Sequence, residues 1–163
     1  AGPTSVSDQA SDIVDQTSPA YVDFEGSDGV AADQPEEPGA ALAGDSDIQV
    51  NAAVDPALDA WLQGVTCQGG PCVTAGRAHV EGFLGGWAVM AGLHPAQQAS
   101  AKVWATGPVT FGGQATPVDR PLTVSFGVGQ GRVTYTSYHA EPDLNTAGFL
   151  PQERILQFLV FEL

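Results

Sequence analysis

PLTVSFGVGQGRVTYTSYH, residues 121–139, decides how this chain is built. Two runs rich in Val, Thr, Phe and Tyr flank Gly-Val-Gly-Gln-Gly. The pattern predicts a β-hairpin, because β-branched and aromatic residues suit a pleated strand and glycine suits a tight turn. Gly127, Gly129 and Gly131 superficially match a phosphate-binding loop. Such a loop must lead into a helix, whose N-terminus faces the phosphate. Here it leads into a second strand, which excludes a nucleotide site.

Downstream, LPQERILQFLVFEL (150–163) predicts a helix opened by Pro151. Ile155, Leu156, Phe158, Leu159 and Phe161 make it apolar all round, so it is expected to pack deeply against a sheet. Upstream, CVTA (72–75), HVEGF (79–83), GWAVMAG (86–92) and AKVWAT (101–106) predict strands separated by Gly and Pro. IQVNAAV (48–54) alternates like a strand. DPALDAWLQG then predicts a helix with Asp55 as N-cap, Pro56 at its first position and Gly64 as its stop. Ala57, Leu58, Trp61 and Leu62 form its expected buried stripe. AYVDF (20–24) is a short strand, and Ser7 is the expected N-cap of a helix carrying Ala10, Ile13, Val14 and Thr17 on one face.

The charge is strongly uneven. Nineteen acids oppose five bases for a formal net charge of −14, and 13 of those acids precede Arg77, the first basic residue. Such a field repels nucleic acid and anionic membrane surfaces. Residues 25–47 hold seven of the acids, two Pro and four Gly with no aromatic, which predicts a long solvated acidic loop. Carboxylates are hard ligands for calcium, but the EF-hand spacing is absent and no metal site is expected. No run of 18 apolar residues exists to span a membrane. Cys67 and Cys72 enclose Gln-Gly-Gly-Pro, short enough for a disulfide, and a disulfide favours an oxidising compartment and secretion. The start at Ala rather than Met is expected of a processed or trimmed chain.

GRVTYTSYHAE followed by PQERILQFLVFEL resembles the C-terminal part of class I glutamine-amidotransferase-like domains, related versions of which occur in secreted bacterial proteins. SVSDQASDIVDQTSPAYVDF looks like the strand-to-helix elbow of the same fold. The resemblance implies a single α/β domain over 1–163 with a partial flavodoxin-like sheet, a β-rich insertion at 65–110, a C-terminal β-hairpin and a buried C-terminal helix. In active members a Cys on the elbow attacks glutamine, and a His-x-Glu pair activates it. His139 and Glu141 match that pair by order and spacing. At the elbow stands Ser7-Asp8-Gln9, and both cysteines fall much later, so the amidotransferase mechanism lacks its nucleophile. The fold also begins with strand-helix units that this chain lacks, so a second copy or a partner polypeptide is expected to cover the open sheet edges.

Two function classes follow. The first is a secreted, non-catalytic structural or interaction module that self-assembles or is completed by a partner chain. The second is a hydrolase in which Ser7, His139 and Glu141 form a Ser-His-Glu arrangement. The missing Cys favours the first, and no cofactor is implied. His79 and His94 lack ligand spacing, Trp61, Trp87 and Trp104 are expected in the core, and Arg77, Arg120 and Arg132 are expected to balance nearby acids.

Overall fold

The computed structural model describes residues 22–25, 42–93, 98–140 and 148–161. The expected helix over 7–17, with Ser7, lies outside them, as do residues 26–41 of the acidic loop. The described chain runs β1 (Val22–Phe24), β2 (Val50–Val54), α1 (Pro56–Leu62), β3 (Thr66–Cys67), β4 (Gly70–Pro71), β5 (Arg77–Val80), β6 (Met90–Leu93), β7 (Ala101–Val109), β8 (Val118–Val128), β9 (Gly131–Thr136) and α2 (Pro151–Phe161).

The main sheet has five strands in the order β5-β2-β7-β8-β9, and β1 pairs with β6 in a separate ribbon. The mixed α and β content agrees with the sequence. The strand directions do not match a flavodoxin-like sheet, which is built from parallel strands joined by helices. Every strand pairing among the described residues is antiparallel. For β8 and β9 the cause is local: they are joined by a two-residue turn, a connection that only antiparallel neighbours allow. Segment 65–110, expected as an insertion, supplies β5, β6 and β7, and β7 is the middle strand of the main sheet.

The 121–139 hairpin forms as expected. Val128 pairs with Gly131, and Gly129 adopts a φ of 59° at the first turn position. A type II′ turn demands that conformation there, and glycine takes it without a Cβ clash. β8 is buried from Pro121 through Phe126. Val124 and Phe126 join Val22, Phe24 and Met90 in a cluster under the β1–β6 ribbon. Thr123 and Ser125 alternate to the opposite face. There the Ser125 hydroxyl accepts a 2.7 Å bond from Trp104 Nε1, and the Thr123 hydroxyl lies 2.6 Å from the Tyr138 hydroxyl.

The helices cover that second face in part. Asp55 caps α1, accepting from the Ala57 amide at 2.9 Å, and Leu58 and Leu62 are buried. Ala57 is exposed rather than buried, since a first-turn residue next to the cap faces away from the sheet here. α2 opens with Pro151 at its first position, and Glu153 reaches back to the Leu150 amide at 2.6 Å. That contact is half of a capping box. Gln152, bonded to the Glu81 carbonyl, and Arg154, bonded to the Thr66 carbonyl, fix the helix against its neighbours. Ile155, Phe158 and Leu159 face the core, with Phe158 against Trp61 and Trp104.

Leu156, Val160 and Phe161 do not pack inward. They are 38%, 58% and 76% exposed. At 100° per residue, Leu156 and Val160 fall on the side of the helix away from Ile155 and Phe158, and only one side meets the sheet. The expected all-round burial of α2 is therefore corrected to a one-sided helix with an apolar outer ridge. Cys67 and Cys72 form a disulfide that closes the β3–β4 turn.

Ile155→Ala should lower stability by about 2–5 kcal/mol, the usual cost of emptying a closed core site. Leu156→Ala should change it by about 0.5 kcal/mol or less, as for a surface position. Urea unfolding of the two variants measures this. Equal losses would contradict the one-sided packing of α2.

Candidate functional site

The Ser-His-Glu arrangement cannot be assembled from described residues, because Ser7 and Glu141 lie outside them. His139 is exposed in the segment after β9, and its backbone amide donates to the Gly82 carbonyl at 3.0 Å. Gly82 has a φ of 82°, and a Cβ there would stand 3.1 Å from the His139 carbonyl oxygen. The main chain of His139 thus serves as an anchor between β9 and the segment after β5. His94 also lies outside the described residues. His79 is exposed on edge strand β5, with Nδ1 3.4 Å from Asn51 Oδ1 and Nε2 3.8 Å from Glu81. No group of three His, Cys, Asp or Glu among the described residues is placed to hold a metal.

What the fold does build is a groove. The β1–β6 ribbon covers one face of β7–β8–β9, while α2 covers only part of the other. The part that the described residues leave uncovered forms an open hollow of about 1110 Å³ between the sheet and α2. Strand register sets its floor: Lys102 pairs with Ser125, Ser125 with Thr134, and Gly127 with Arg132. The side chains of Lys102, Ser125, Thr134 and Arg132 share one face because residues alternate along each strand. Leu156, Leu159 and Val160 of α2 form the wall. On the other side of the Leu156–Val160 ridge lies a smaller hollow of about 390 Å³, bounded by Phe149 and Phe161.

The electrostatics of the floor are specific. Lys102 Nζ sits 3.0 Å from Asp55 Oδ1 and 3.8 Å from the centre of the Trp104 ring. The α1 cap therefore also fixes a groove cation, and the indole face adds attraction. Arg132 makes no ion pair among the described residues. Two of the chain's five basic residues thus meet in one groove of a molecule with net charge −14. Of the arginines expected to balance acids, Arg120 pairs with Glu25, whereas Arg77 donates to the Asn51 carbonyl. Trp87 and Trp104 are buried as expected, and Trp61 is half-buried against Phe158.

Among the described residues no histidine or carboxylate lines the groove, and the Ser125 hydroxyl there accepts the Trp104 Nε1 bond. Sequence reasoning placed Trp104 and Arg132 separately and missed Lys102. The available signal was the shared alternation, Lys102 with Trp104 and Arg132 with Thr134, on strands that had been expected. What was missing was the register bringing them together. No family model matches this chain, and no match is found among curated proteins or solved structures.

Tyr138 is buried in the core shared with α1 and α2, and burial pushes its hydroxyl well above the ordinary value of 10.0, with the Thr123 bond opposing in part. The unfolded chain releases this proton near the ordinary value while the folded chain retains it. Above that pH the unfolded state binds fewer protons, so stability falls as pH rises. Tyr138→Phe should lose less stability than the parent chain on raising the pH from about 10 to 12. Denaturant unfolding across that range checks this, and identical alkaline losses in both proteins would contradict it.

Proposed function

We propose that this chain is a non-catalytic interaction module that holds a polypeptide partner in the groove between the β7–β8–β9 sheet and α2. The observation that carries the proposal is the joining of a cationic sheet face to an exposed apolar ridge. Lys102 and Arg132 lie on the floor, and Leu156 and Val160 stand at the wall. Surface of this kind is costly to leave in water, and apolar contact ringed by polar groups is the usual form of a protein interface. The Cys67–Cys72 disulfide supports action in an oxidising compartment, consistent with a secreted module. No helix among the described residues is long and apolar enough to cross a membrane.

The amidotransferase-like resemblance adds no chemistry to this proposal, since the elbow carries Ser7-Asp8-Gln9 where active members carry Cys. The groove accounts for the exposed ridge of α2 directly.

Panning a random peptide library against the full chain tests the proposal, beside a Leu156→Asp/Val160→Asp double variant shown by circular dichroism to be folded. Selected peptides should bind the parent chain and lose about tenfold or more in affinity on the variant, the scale of one lost contact of about 1.4 kcal/mol. Peptides indifferent to the variant, or a library yielding none, would overturn it. So would an esterase or amidase activity that disappears with Ser7→Ala and His139→Ala.

A further inference from the structure

The groove is bordered by a sheet edge. Among the described residues β9 is an outer strand of the main sheet and pairs only with β8. The two-residue turn makes Val128–Gly131 the closing pair, and hydrogen-bonded pairs then recur at every second position. Gly131, Val133 and Tyr135 thus bond inward to β8. Arg132 and Thr134 turn their amide and carbonyl groups outward, and neither makes a further backbone bond among the described residues. The same two residues direct their side chains into the groove. An edge strand with free donors and acceptors is a template for another strand.

The two faces of β9 then state what such a strand carries. On the groove face its neighbours are Arg132, which lacks an ion-pair partner among the described residues, and Thr134. On the other face its neighbours are Val133 and Tyr135, half-buried against the cluster under the β1–β6 ribbon. Side chains directly across from one another interact most strongly, and opposite charges or paired apolar groups are favoured there. An added strand is therefore best matched by acidic residues at alternate positions and apolar residues between them. β1 shows the same design within this molecule: Val22 and Phe24 are fully buried and Asp23 between them is only half-buried.

Resting on the groove as a polypeptide-binding site, we infer that the partner is an extended segment alternating acidic and apolar residues, added as a sixth strand along β9. Its acidic side chains enter the groove beside Arg132. Its apolar side chains extend the cluster of Val133 and Tyr135. The remaining negative charge of the molecule repels acidic segments elsewhere, so the groove also sets where they land.

The test uses a labelled ten-residue peptide alternating Glu and Val, with fluorescence anisotropy on the full chain. Binding should weaken about tenfold with Arg132→Glu and recover in part when Lys replaces Glu in the peptide, as expected for a close charge pair. Two N-methylated peptides, one methylated on every Glu and one on every Val, test backbone pairing. Only alternate amides of an added strand face β9, so one methylated peptide should bind and the other should lose binding. Equal binding by both, or indifference to Arg132→Glu, overturns the inference. If library peptides need Leu156 and Val160 but share no acidic–apolar alternation, the inference fails while the interaction module stands. Binding that appears only after removal of residues 1–21 would place the chain's own N-terminal segment at β9 instead. A dimer seen by sedimentation and dissolved by the peptide would place a second copy there, and either result overturns the inference.

Discussion

β8 is buried on both faces over Pro121–Phe126, and the rest of the molecule follows from how those two faces are satisfied. Val124 and Phe126 need apolar cover and receive it from β1 and β6. Thr123 and Ser125 face the other way, where a hydroxyl left without a partner costs about 1–3 kcal/mol. Tyr138 and Trp104 supply those partners. Trp104 in turn needs Phe158 against its ring, which fixes where α2 lies. α2 then stops short of the hairpin end of the sheet, and the groove is what it leaves open.

Asp55 links this packing to charge. One carboxylate caps α1 through the Ala57 amide and holds Lys102 over Trp104. A helix terminus, a buried indole and a groove cation are therefore positioned together. Arg132 stands across the floor on β9, at the strand that ends the sheet.

Much of the local structure was legible. The hairpin, the Asp55-Pro56 start of α1 and the Pro151 start of α2 rest on short-range rules of turn and cap chemistry, and the structure contains all three. The side of α2 that would be buried was not legible. Ile155, Leu156, Phe158, Leu159 and Phe161 are all apolar, and composition alone does not say that a single sheet face is available to cover them. The partial flavodoxin-like sheet was an expectation from resemblance alone, whereas every pairing among the described strands is antiparallel. The groove was hidden for another reason: Lys102, Ser125, Thr134 and Arg132 meet only through the register of three strands. Ser7 and Glu141 lie outside the described residues, so their expected partnership with His139 has no geometric counterpart here.

Proximity measured by nuclear Overhauser effects in isotopically labelled full chain addresses the two-faced sheet most directly. The Phe24 ring should show contacts to Tyr135, and the Trp104 indole should show contacts to Phe158, because these pairs lie at 5.8 and 5.5 Å on opposite faces of the same three strands. Finding both sets, with Leu156 and Val160 lacking contacts to core aromatic rings, is the predicted result. Contacts from Leu156 or Val160 into the core, or loss of the Trp104–Phe158 set, would mean that α2 covers the sheet differently and that no groove is left open.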